Sequence, residues 1–151
     1  MRVLFVTGIF PPDHGGPASY VPAMARGLME HGHEVVSVIT LSDDVHHDDQ
    51  HFGYPVRRLP RNRFKPLRWI QTVLEIRSRA RIADVIFLNG LVLEGILATK
   101  VFGSRPAVIK VVGDLIWEKA RNSGAIHLEL DAFQTARLPL RWRFLRWLQG
   151  W

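Results

Sequence analysis

Two adjacent glycines, Gly15 and Gly16, follow an apolar run (Val3 to Val6) and the stretch Thr7, Gly8, Ile9, Phe10, Pro11, Pro12, Asp13 and His14. Glycines at the entrance to a helix remove side chains, so backbone N–H groups can approach an anion closely. Asp13 and His14, beside them, read either as contacts to a substrate or as solvated loop residues. Two further pairs, Asn89-Gly90 and Gly113-Asp114, each follow an apolar run. In open α/β sheets ligands collect at the carboxyl ends of strands, so all three loops are expected to face one crevice. Glu118 lies just beyond, at the start of a predicted helix. It reads either as a ligand contact or as a first-turn acid favoured by the helix dipole.

The elements that must position these residues can be read from periodicity. Residues 2–7 form a first strand, and residues 17–31 a helix, with Pro17 in its first turn. In that helix Val21, Met24, Ala25, Leu28 and Met29 recur at helical spacing, and Gly32 stops it. A nearly continuous apolar strand over 34–41 suits a sheet covered on both faces. A polar loop then leads to a short strand at 55–59 and a helix at 67–82. Strands at 84–88 and 107–112 bracket a helix at 91–102. This alternation predicts a doubly wound, parallel, Rossmann-like α/β sheet, with strands one and four flanking the switch point.

Charge is unevenly placed within a net of +6 over 151 residues. Residues 57–81 carry nine arginines and lysines against the single acid Glu75. Asp43, Asp44, Asp48 and Asp49 crowd the preceding loop. Such asymmetry either favours an anionic partner or reflects a solvated helix face. His46, His47, Asp48, Asp49 and His51 carry metal-ligand chemistry but lack the framework that would hold a fixed geometry. They read as a solvated loop, and no metal is expected. With no cysteine, disulfides are excluded, and the first apolar run is too short to span a membrane. A cytoplasmic protein is expected, with peripheral contact to the inner membrane face as an option.

The run Gly15-Gly16, the following helix, and Gly32-His33-Glu34-Val35 leading into the second strand resemble the amino-terminal domain of GT-B glycosyltransferases of the family 4 type. The resemblance extends to residues 84–89 and to Lys110-Val111-Val112-Gly113-Asp114 with Trp117-Glu118. It implies an enzyme that transfers a sugar from a nucleotide-sugar to a glycan or lipid-linked acceptor, with retained anomeric configuration and no metal. It also implies that this domain binds mainly the acceptor. Gly15 and Gly16 would face the donor diphosphate or the transferred sugar, and Asp114 an acceptor hydroxyl. The nucleotide-sugar would be a co-substrate held by a second domain, through two glutamates with seven residues between them, and no other cofactor is implied. That pair is missing from residues 1–151, so the chain is expected to be a truncated acceptor-side domain, inactive alone. Where the family commonly carries a histidine, this chain has Gly113.

From residue 138 the sequence is rich in tryptophan. At about 100° per residue, Leu138, Leu140, Trp142, Phe144, Leu145, Trp147, Leu148 and Trp151 cover more than half a helix circumference. Arg143 and Arg146 occupy the remaining arc. Trp142, Arg143, Arg146 and Trp147 are therefore candidates for contact with an anionic membrane surface or with a neighbouring domain. Two other classes compete. A dinucleotide-binding oxidoreductase needs closely spaced glycines, whereas six residues separate Gly8 from Gly15, and neither tyrosine has a lysine four positions on. A non-catalytic acceptor- or membrane-binding module fits the composition. Nucleic acid is disfavoured, because the basic segment has few aromatics for base stacking.

Overall fold

The computed structural model describes residues 1–101 and 105–110, and beyond them only Ala120, Gly124, Ala132, Phe133, Ala136, Pro139 and Leu140. Residues Met1–Lys110 and Val111–Trp151 form separate compact units. In the second, the Ala136 N–H donates to the Ala132 carbonyl at 3.0 Å.

The first unit grows from strands that are apolar on both faces. β1 (Arg2–Thr7) is buried at every position after Arg2, and β2 (Glu34–Ser42) at every position after Glu34. β3 (Val56–Pro60), β4 (Val85–Asn89) and β5 (Ala107–Ile109) complete a five-stranded sheet in the order β3-β2-β1-β4-β5. Every pairing is parallel, with Thr7 opposite Asn89 at the carboxyl ends of β1 and β4. The chain first winds outward to β3 and then returns to the other side of β1. Right-handed crossovers therefore put the helices before and after that reversal on opposite faces.

The packing follows that rule. α1 (Gly16–Glu30) sends Val21 and Ala25 onto Val3, Phe5, Val38 and Phe87. α2 (Lys65–Ala80) sends Val73, Ile76 and Ala80 onto Leu4, Val6, Ile39, Ile86 and Leu88 on the opposite face. Gly32 adopts φ 76° just past α1, as expected of its stop residue. Pro22 lies inside α1 and cannot donate to the Ala18 carbonyl. Where β1 and β4 begin, the Asp84 carboxylate accepts from the Arg2 N–H at 2.7 Å and from its guanidinium at 3.0 Å. These bonds hold its pKa below the usual carboxylate value.

The expected continuous helix over 91–102 differs in form. α3 (Val92–Ile96) passes into a wider π turn at Leu97–Val101. The Thr99 hydroxyl donates to the Gly95 carbonyl at 2.9 Å, which is the acceptor an α-helix reserves for the Thr99 N–H. That competition widens the turn. α2 starts at Lys65, two residues before its expected start, because Pro66 suits the first turn.

Candidate functional site

The switch point lies between β1 and β4, and its backbone is tightly packed. Gly90 has φ 135°, and a Cβ on it would stand 2.7 Å from the Gly8 nitrogen. Leu91 follows at φ 50°, a left-handed conformation that branched or bulky side chains rarely adopt. Thr7 ties the two loops together, its hydroxyl lying 2.9 Å from the Ile9 carbonyl and 3.3 Å from the Asn89 carbonyl.

From there the β1–α1 loop runs over the sheet edge. Phe10 is fully buried, and the Asp13 N–H donates to its carbonyl at 3.0 Å. His14, Gly15 and Gly16 are exposed, as a ligand-facing segment must be. No side chain caps the N-terminus of α1, and Pro17 has no N–H. First-turn geometry leaves the N–H groups of Gly16 and Ala18 without intrahelical acceptors, at the positive end of the helix dipole. Nothing lies within 4 Å of a Cβ placed on Gly16.

Two more donors lie on the same face of the sheet. Asn89 continues the alternation of Val85 and Phe87, so its side chain stands on the α1 side, at the carboxyl end of β4. It is only 5% exposed, and among the described residues its Nδ2 has no hydrogen-bond partner. Tyr20 of α1 stacks on Phe87 at 6.4 Å, and the Lys110 ammonium lies 3.0 Å from the Tyr20 ring centroid. Helix N–H groups, an unsatisfied amide and an ammonium make this a donor-rich, electropositive edge suited to an anion.

Asp13 is not free to serve as an acceptor, because Arg61 pairs with its carboxylate. Arg61 also reaches Asp43 at 2.7 Å and the Leu41 carbonyl at 3.0 Å. Arg58 holds the loop more firmly still. Its side chain is 2% exposed and grips Asp49 through two bonds of 2.7 and 2.8 Å. It also donates to the Pro11 carbonyl at 2.5 Å, with the Phe10 ring 5.8 Å away. Both arginines belong to the basic segment read as a surface for a partner or for solvent. Their counter-charges are instead Asp13 and the crowded acids of the β2–β3 loop. Glu94 reads in the sequence as an ordinary helix acid but is only 8% exposed in the first turn of α3.

The histidine-rich loop is organised by capping. Asp44 accepts from the His46 N–H at 3.0 Å and Asp48 from the Gln50 N–H at 3.1 Å, while Asp49 serves Arg58. Among the described residues no three ligand-type side chains converge on a metal position. Beneath this loop Tyr54 is buried, and among the described residues its hydroxyl has no partner. Burial pushes its pKa from 10.0 up to about 12, helped by Asp49 and opposed by Arg26. The folded state therefore keeps a proton that the unfolded chain loses near pH 10, so this contribution to stability is intact below pH 10 and is lost as pH rises through about 12. Tyr54→Phe is expected to raise the unfolding free energy by about 1 kcal/mol at neutral pH. It should also flatten the alkaline loss, as urea midpoints across pH would report.

Gly113, Asp114, Glu118, Trp142, Arg143, Arg146 and Trp147 lie outside the described residues. Among the described residues no helix is long and apolar enough to cross a membrane. No family model and no curated protein matches the sequence. Among solved structures the chain is similar to the carboxy-terminal domain of a hydrogenase from Pyrococcus furiosus. The TM-score is 0.53 at 14% identity, covering 73% of this chain and 91% of that one. Glycinamide ribonucleotide transformylase 1 from Symbiobacterium toebii aligns with a TM-score of 0.47 at 12% identity, over 82% of this chain and 60% of that one. The hydrogenase-domain likeness and the sheet order together show a Rossmann-like α/β fold.

Proposed function

We propose that this chain is the acceptor-side domain of a retaining glycosyltransferase, contributing one wall of a cleft in which a sugar leaves a nucleotide diphosphate. The observation that carries the reading is the exposed, uncapped N-terminus of α1 at Gly15 and Gly16, set at the β1/β4 switch point. Chemistry of this kind builds negative charge on the departing diphosphate, and fixed backbone N–H groups stabilise such charge without reorganising. Asn89 and Lys110 add donors on the same side of the sheet. His14 is exposed beside them, and in this reading it meets an acceptor hydroxyl. The resemblance of Gly15-Gly16 and Gly32-His33-Glu34-Val35 to family 4 transferases supports the same reading.

Gly16→Ala separates this role from a structural one. A methyl group there meets nothing within 4 Å, and alanine is favoured over glycine in a helix by up to about 1 kcal/mol. The fold should therefore be as stable as before, or slightly more so. In a polypeptide joining this chain to a donor-binding domain, amide-resolved NMR during titration with a panel of nucleotide-diphosphate sugars should move the Gly16 and Ala18 signals. Gly16→Ala is expected to weaken that response about tenfold or more, by blocking the approach to the amides. Sugar transfer, assayed in a polypeptide joining this chain to a donor-binding domain, should fall in parallel. Wild-type amides unmoved by every nucleotide-sugar, or transfer untouched by Gly16→Ala, would sink the proposal.

A further inference from the structure

α2 is apolar on the wrong side as well as the right one. Thr72, Val73, Ile76 and Ala80 face the sheet and are buried. Leu67, Ile70 and Leu74 recur at i, i+3 and i+7 on the opposite arc, exposed by 56%, 57% and 57%. Phe64, which opens the helix, is exposed by 71%. α3, on the same face of the sheet, presents Leu93 and Ile96 to the exterior. Isolated exposed leucines need no explanation, but a stripe along a whole helix marks a docking surface.

The charges around the stripe indicate what it docks on. Glu75 is the only acid on α2, and it is engaged by Arg57 at 3.5 Å and Arg79 at 3.2 Å. Among the described residues no carboxylate pairs with Arg63, Lys65, Arg68 or Arg81. Arg63 binds the neutral Gln71 side chain, at 2.5 Å. An apolar stripe edged by uncompensated cations complements an anionic bilayer. A second copy docked by the same face would set these cations against one another. Residues 137–151, with four arginines and no acid, are equally mismatched.

We infer that α2 is a membrane-docking helix, laying Phe64, Leu67, Ile70 and Leu74 into the interface of an anionic bilayer. Helices of a parallel α/β unit run against their strands, so the Phe64 end lies at the carboxyl edge of the sheet, where the candidate site also sits. A bilayer there would hold a lipid-linked molecule at that edge. The docking itself does not depend on sugar transfer.

Vesicle flotation tests this directly, using phosphatidylcholine alone and phosphatidylcholine mixed with phosphatidylglycerol. The full chain should float only with the phosphatidylglycerol vesicles, and less as salt rises. The triple variant Leu67→Ser, Ile70→Ser, Leu74→Ser should bind about tenfold more weakly or worse. Its urea midpoint should fall far less than for a core substitution, since the replaced side chains are more than half exposed. Arg63→Gln with Lys65→Gln should weaken binding to the anionic vesicles with the stripe intact. Equal flotation on both vesicle types, or wild-type flotation by the triple variant, would overturn the inference. So would a dimer in sedimentation that the triple variant abolishes, since it would assign the stripe to a second copy.

Discussion

Replacing Gly90 with alanine is expected to lower the unfolding free energy by about 3–5 kcal/mol. Two separate penalties add. At φ 135° an L side chain is strained whatever space surrounds it. The new Cβ would also stand 2.7 Å from the Gly8 nitrogen, which is backbone just past the paired end of β1 and cannot swing aside. Among the described glycines at positive φ, Gly90 alone would push a Cβ into backbone; at Gly15 the obstacle is the end of the Ile9 side chain. A loss of this size is a large share of the roughly 5–15 kcal/mol that holds a domain together. Urea denaturation followed by circular dichroism checks it, with Gly16→Ala as the unstrained control. A loss below about 1 kcal/mol would mean that the Gly8 and Gly90 loops part easily, against the packing described.

The second large effect concerns Arg58. Arg58→Met keeps most of the side-chain volume but leaves Asp49 without its bidentate partner and the Pro11 carbonyl without its donor. Asp49 is 12% exposed, so water can restore only part of what is lost. Breaking a buried pair on one side costs about 3–5 kcal/mol, because a desolvated charge is left behind. The double variant Arg58→Met, Asp49→Leu should recover most of that loss, since a well-packed apolar pair is often no worse than the ion pair. Urea unfolding of the two variants checks the cycle. Arg58 also anchors the loop that carries Gly15 and Gly16. The double variant should therefore regain stability while the loop stays poorly positioned, a split that titration with nucleotide-sugars would detect. Full recovery of both would reduce Arg58 to a stability element.

Local pattern determined much of this protein. β1, α1 and β2 could be read to within a residue or two, because both-face burial leaves a continuous apolar run and one-face burial leaves helical periodicity. The reversal of winding at β1 and β4, and with it the place of the crevice, followed from the alternation of elements and the handedness of crossovers. What stayed illegible depends on partners distant in sequence. Arg58 and Pro11 are 47 positions apart, and Arg61 and Asp13 are 48 apart. A string of arginines looks the same whether its counter-charge is a phosphate, water or an aspartate brought in by the fold. The unpaired amide of Asn89 and the outward stripe of α2 are defined by what is missing beside them. Residue type states what a side chain can bond to, and only the packed chain decides what comes within reach of it.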